Sequence, residues 1–197
     1  MKNIKQVYVQ PQMKDIAICS PEIYTSTVMQ EYIKQRREDE DKQWIHKLIA
    51  GESMENELVY VESEEWMICR DLHPGSDMRY LVVFKDEKLR TIRDLREEHI
   101  PLLKDVMQSV QEFLAREQPK RGHLYKVFFH YTPSVFQLHA HVSVPAAQMQ
   151  NTRVQPMALV IDRLGKRSTW FRDALILISL CRSMKALHLY KAVKCQV

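Results

Sequence analysis

Three of the eight histidines fall within twelve residues: His130, His139 and His141. The last two lie in the run Gln137-Leu138-His139-Ala140-His141-Val142-Ser143-Val144, where polar and apolar residues alternate without a break. Alternation at period two marks a half-buried strand, because successive side chains point to opposite faces. Leu138, Ala140, Val142 and Val144 are therefore assigned to the core. Gln137, His139, His141 and Ser143 share the other face. Two imidazoles side by side, flanked by an amide and a hydroxyl, can hold several anionic oxygens. An imidazole is also a nucleophile toward phosphorus when a neighbour orients its second nitrogen.

The residues alone leave three readings of the His139/His141 pair open. They are two partly exposed strand histidines without chemistry, or two ligands of a zinc ion, or a nucleophile and its partner in phosphate-ester cleavage. Zinc needs a third ligand, and the chain nominates none beyond His130 or a distant Cys or Asp. Composition narrows the choice. There are four glycines in 197 residues and no cluster of them. Glycine-rich phosphate cradles, which bring backbone N–H groups up to a phosphate, are thus excluded. Any phosphate must be handled by side chains. A net charge of +4 and a pI near 8.8 are compatible with an anionic ligand without demanding one. Cys19, Cys69, Cys181 and Cys195 form no CxxC pair, which points to free thiols in a reducing compartment. Apolar runs such as 174–180 are too short to cross a bilayer, and no apolar stretch follows Lys2 and Lys5 to make a secretory signal.

The elements that must position these residues can be read along the chain. Residues 1–20 form an extended arm, and Ser20-Pro21-Glu22 starts a helix. The charged stretch from Arg36 to Lys42 reads as a solvated helix surface. A helix over 42–49 buries Trp44, Ile45 and Leu48 and stops at Gly51. Strands are expected at 58–61, 66–69 and 79–85, with a turn at His73-Pro74-Gly75-Ser76. Ile100, Leu103, Val106, Val110, Phe113 and Leu114 recur at helical spacing, with Asp94 and Glu97 expected as a capping box. Strands at 124–131 and 138–144 form an antiparallel hairpin through Thr132-Pro133-Ser134. A helix near 155–164, a strand near 174–180 and a terminal helix complete the chain. Strands and helices mix without βαβ alternation, so the fold class is α+β with an antiparallel sheet.

The words around the histidines are more specific than the pair itself. His130-Tyr131-x-Pro133-Ser134-x-x-x-Leu138-His139-x-His141 resembles the histidine-triad signature of the scavenger mRNA decapping enzymes, a branch of the histidine-triad (HIT) superfamily. Ile92-Arg93-Asp94-Leu95-x-x-Glu98-His99-x-Pro101-Leu102-Leu103 looks like that family's helix start. Gln43-Trp44-Ile45 and Asp71-Leu72 resemble its cap-pocket segments. The likeness extends over nearly the whole chain.

This resemblance implies a HIT-like antiparallel half-barrel with packed helices, and cleavage of the triphosphate bridge of 7-methylguanosine cap dinucleotide or short capped RNA without metal or cofactor. His139 matches the nucleophile, which would form a nucleotidyl-histidine. His141 matches the third triad histidine, and His130 another active-site histidine. Gln137, Ser143 and Arg153 fall around the phosphates. Trp44 would stack on 7-methylguanine, whose positive charge favours an indole face; without the resemblance, Trp44 reads as a core residue. Glu55 or Glu52 would accept the guanine N1 and N2 protons, Asp71 would be the second pocket acid, and His73 stands where the family has a lysine. Gln137 replaces the first triad histidine, and Val135 and Phe136 replace two tyrosines. The family carries an additional N-terminal lid domain. The expectation here is an arm over 1–30, a HIT-like domain over 31–197 and no lid. A homodimer in the cytoplasm, and also in the nucleus, is expected. Two alternatives accompany the decapping reading: a cap-binding protein with little catalysis, and a HIT hydrolase of another dinucleoside polyphosphate or nucleotide conjugate.

Overall fold

Alternation along each strand sorts its side chains into two sets, and the computed structural model shows where each set goes. It describes residues 16–52, 59–71, 79–120, 124–144 and 154–179. Six antiparallel strands form an open sheet in the order β2-β3-β4-β6-β5-β7. They are β2 (Val59–Glu62), β3 (Trp66–Arg70), β4 (Arg79–Phe84), β5 (Lys126–His130), β6 (His139–Ser143) and β7 (Val154–Pro156). A separate ribbon pairs β1 (Ile16–Cys19) with β8 (Ile176–Ser179) in antiparallel register. The α+β antiparallel architecture expected from the sequence is the one observed.

One face of the sheet builds the main core. Trp66 and Ile68 of β3, Tyr80, Val82 and Phe84 of β4, Ala140 and Val142 of β6, and Val127 and Phe129 of β5 all belong to it. The helices covering that face are α1 (Pro21–Thr25), α2 (Thr27–Glu38), α4 (Ile100–Glu117), α5 (Met157–Lys166) and α6 (Trp170–Asp173). Helix α4 contributes Leu103, Val106, Val110, Phe113 and Leu114 at the expected spacing. Ser20 and Ser26 cap α1 and α2 by accepting from the amides of Ile23 and Met29, each at 3.3 Å.

The start of α4 differs from the sequence reading. The capping box is formed by Thr91 and Asp94 around a short 3-10 turn, and a second such turn spans Glu97–His99. The helix begins only at Ile100, with Pro101 in its first turn. Proline lacks an N–H and clashes with the carbonyl four residues before it, so it belongs in a first turn and not in an interior. The arm before Ile16, the turn at 73–76 and the expected terminal helix lie outside the described residues.

The opposite face carries α3 (Trp44–Ile49). Its Ile45 and Leu48 pack on Met67 and Cys69 of β3, Leu81 and Val83 of β4, and Val135. Gly51, at φ 73°, closes the helix where the sequence placed its end. The amides of Gly51 and Glu52 reach back to the carbonyls of Leu48 and Lys47 at 3.1 and 2.9 Å, satisfying the last turn. No helix among the described residues is long and apolar enough to cross a membrane.

Candidate active site

Strand β6 lies inside the sheet, between β4 and β5. Its histidines are therefore walled by neighbours on both sides. Leu81 pairs with His141 and Val83 with His139 on the β4 side, and Phe128 pairs with His141 on the β5 side. Directly opposed residues share a face. The second hydrophobic cluster, beneath α3, therefore includes the residues beside the two imidazoles.

His139 is buried, and its Nδ1 lies 2.7 Å from the carbonyl oxygen of Gln137. A carbonyl only accepts, so Nδ1 carries the hydrogen and donates it. The lone pair then resides on Nε2, the arrangement a nucleophilic imidazole needs. The ring of His141 stands 5.3 Å from that of His139, and the ring of His130 stands 4.3 Å from His141. The three histidines nominated by the sequence thus converge. Phe128 lies nearly parallel to His141, at 13° and 5.5 Å, and fixes the plane of that ring. Buried Asp71 places Oδ2 3.9 Å from His141 Nδ1, within ion-pair range of a protonated ring.

Gln137 is fully buried and takes a structural part. Its amide nitrogen donates to the carbonyls of Phe84 and Asp86 at 2.7 and 2.9 Å. Both amide hydrogens are committed there, so none remains in this arrangement for a phosphate oxygen, the task expected from the sequence. Its Oε1 is buried and has no hydrogen-bond partner among the described residues. Ser143 closes the row; it is buried and faces Arg79 on one side and Lys126 on the other.

Trp44 is half-buried and packs against the cluster beneath α3, on the histidine face of the sheet. Glu52 is exposed at the exit of that helix. Glu55, His73 and Arg153 lie outside the described residues. Val135 joins the cluster beneath α3, and Phe136 turns into the main core, edge-on to Tyr32 at 5.9 Å.

Sequence reading missed Phe128, Lys126, Arg79 and the carbonyl of Gln137. The first two were within reach: Lys126, Phe128 and His130 alternate along one strand and must share a face. Arg79 could not be found without knowing which strands pair. The backbone acceptor carries no signal in a residue type.

An antiparallel sheet with three convergent histidines on one face, one of them held through Nδ1 by a backbone carbonyl, defines a histidine-triad domain. Comparisons with known proteins agree. The family described as "Scavenger mRNA decapping enzyme C-term binding" matches residues 43–155. The chain belongs to that family. Among curated relatives, the mouse m7GpppX diphosphatase is 24% identical over 132 residues, covering 62% of this chain and 39% of its own length. The fission-yeast m7GpppX diphosphatase is 26% identical over 139 residues, covering 66% and 45%. An aprataxin of Ciona intestinalis is 29% identical over 128 residues, covering 64% and 33%. The chain thus spans less than half the length of these relatives. A histidine-triad protein of Clostridium difficile aligns over 57% of this chain and 96% of its own, at 19% identity and a TM-score of 0.44.

Proposed function

We propose that this domain hydrolyses the triphosphate bridge of the 7-methylguanosine cap dinucleotide or of short capped RNA. The observation that carries the reading is the hydrogen bond from His139 Nδ1 to the Gln137 carbonyl, which leaves Nε2 as the attacking atom. Nε2 attacks the phosphorus next to 7-methylguanosine, and the bond from that phosphorus to the bridging oxygen breaks. The remaining nucleotide departs as a diphosphate. Water then cleaves the phosphorus–nitrogen bond, releasing 7-methylguanosine monophosphate and restoring His139. Phosphoryl transfer asks chiefly for in-line positioning and charge stabilisation. His141 and His130 supply both at the phosphate oxygens, helped by Ser143 and Arg153.

At the cap end, Trp44 stacks on the methylated base, and Glu55 or Glu52 accepts the guanine N1 and N2 protons. Asp71 and His73 complete the pocket. The reaction needs no metal, and the working unit is a homodimer in the cytoplasm.

The test is incubation with methylated cap dinucleotide in EDTA, followed by chromatography of the products. Release of 7-methylguanosine monophosphate by the wild type, lost in His139→Asn, is the expected result. Binding without turnover would replace this reading with a cap-binding protein. Turnover of an adenylated conjugate in preference to the cap would replace it with another histidine-triad hydrolase. Trp44→Ala is expected to weaken cap affinity tenfold or more; unchanged affinity would remove Trp44 from the pocket.

A further inference from the structure

Away from the histidines, Gln30, Ile33, Lys34 and Arg37 recur at helical spacing and share one side of α2. With Glu38 they line one wall of a cavity of about 370 Å³, and Arg90, from the segment after β4, lines the other. The volume is within the usual range for small-molecule sites, which is about 300–1,000 Å³. Three cations against one carboxylate give the lining a net positive charge.

The neighbouring Arg36 is committed elsewhere: it pairs with Asp39 and donates to the Ser134 carbonyl at 3.2 Å. Lys34, which is exposed, and Arg37, which is half-buried, have no hydrogen-bond or ion-pair partner for their side chains among the described residues. Arg90 is held in place. Its Nη1 donates to Gln30 Oε1 at 3.3 Å, and its Nη2 stands 3.8 Å from Asp94 Oδ1. Gln30 is itself fixed, its amide donating to the Tyr24 carbonyl at 2.6 Å. A guanidinium carries five N–H groups, so Arg90 keeps donors beyond these two contacts. The positive field of Arg37 reaches His46, whose ring is held below its ordinary range by burial first and by Arg37 next, against the pull of Glu87.

Guanidinium and ammonium groups converging from two walls suit phosphate oxygens. Among the described residues no aromatic side chain lines the cavity, and Ile33 is buried, so a nucleobase finds no ring to stack on. We propose that this cavity binds a compact phosphate anion of the diphosphate class, which draws α2 and the 86–90 segment together. Both walls also hold the chain that leads into His139. Arg36 of α2 grips Ser134, the Asp86 carbonyl accepts from the Gln137 amide at 2.9 Å, and the Leu89 carbonyl accepts from the Leu138 N–H at 2.7 Å. Occupancy therefore tightens the 134–138 segment without touching a histidine. The site stands apart from the cleavage reading and holds or fails without it.

Calorimetric titration of the full chain with inorganic pyrophosphate, in EDTA and at constant ionic strength, tests the site. Lys34→Gln combined with Arg37→Gln removes the charge of one wall, and Arg90→Gln that of the other. Each is expected to raise the Kd about tenfold or more, the worth of one charge-assisted hydrogen bond. Lys34→Glu, at an exposed position, repeats the test without disturbing a buried contact. His141→Asn, and Lys104→Gln at an exposed position of α4, should match the wild type. No measurable binding by the wild type overturns the proposal. Binding lost in His141→Asn but kept in the α2 double variant would place the anion at the histidines and overturn it equally. So would an uncapped single-stranded oligoribonucleotide that binds through Lys34 and Arg37 where pyrophosphate does not, which would assign the cavity to a nucleic-acid backbone. Amide hydrogen exchange tests the tightening. Pyrophosphate is expected to slow the Leu138 amide about fivefold more than the Val110 amide of α4, and only while Lys34 and Arg37 are present. Equal slowing of the two amides would mean global stabilisation alone and overturn the tightening.

Discussion

Gln137 joins two jobs in one residue. Its carbonyl orients the His139 ring, and its side-chain amide ties the start of β6 to the carbonyls of Phe84 and Asp86. Replacing the amide with an isosteric carboxylate tests this arrangement. Gln137→Glu would aim an acceptor at two acceptors in a fully buried position, at a cost of about 3–5 kcal/mol at neutral pH. A protonated carboxyl regains one donor. The folded-state pKa of the introduced carboxyl must then lie above its unfolded value, so the deficit shrinks as pH falls. Urea unfolding of wild type and variant at pH 7 and pH 4.5 checks both parts; a penalty independent of pH would refute the orientation assigned to the amide. The sequence marked this position as a departure from the family pattern and assigned it to the phosphates. Side-chain chemistry was legible there, but the competition from two buried carbonyls was not, because those carbonyls come from the end of another strand.

Helix α3 is too short to be stable by itself. It holds its place through Ile45 and Leu48, which sink into the cluster on the histidine face. Ile45→Ala should cost about 2–5 kcal/mol, the usual range for such a truncation in a core. If Trp44 stacks on the cap as proposed, the substitution should also weaken cap affinity, because Trp44 is the preceding residue. Val106→Ala, in the core on the far side of the sheet, provides the comparison. Ligand titration at a temperature where both variants remain folded should find affinity reduced only in Ile45→Ala. Equal affinities would detach α3 from ligand binding. At this scale the sequence was most legible where one rule acted alone. The β6 alternation, the apolar stripe of α4 and the stop at Gly51 all appear as read. The start of α4 was misread because Asp94 and Glu97 look like a capping box, while Pro101 already forbade a helix running through that point. Strand β7 went unseen. Three residues ending in proline make an edge strand only because β5 is there to pair with.

Over the whole molecule, Arg93 gathers segments far apart in sequence. It is almost fully buried and donates to the Tyr131 hydroxyl at 2.6 Å, to the Cys19 carbonyl at 2.6 Å and to the Phe171 and Ala174 carbonyls at 2.8 and 3.1 Å. The ring faces of Tyr24 and Tyr131 flank its guanidinium at 5.3 and 5.1 Å. A lysine has three donors and no planar fork. Arg93→Lys should therefore destabilise the fold by about 3 kcal/mol or more, since removing one partner strands several buried polar groups. Thermal or urea unfolding will measure the loss, and a change under about 1 kcal/mol, roughly the worth of a single hydrogen bond, would contradict the hub. The same cluster sets an alkaline limit. Burial, then the neighbouring Cys19, holds the Tyr131 phenol well above its ordinary range, and burial raises Tyr24 as well. The unfolded chain releases these protons near pH 10 while the folded chain keeps them. Their contribution is thus complete below about pH 10 and declines above it. Stability measured from pH 8 to 11 should fall over the upper part of that range, and less steeply in Tyr131→Phe. The β1–β8 ribbon adds a practical consequence. Ile16 lies opposite Ser179 in its register, so two positions far apart in the sequence stand side by side. A donor and an acceptor dye attached at those two points would start in close proximity and lose energy transfer when the ribbon frays. The histidines stand on a separate sheet, so their activity could be read in the same cuvette.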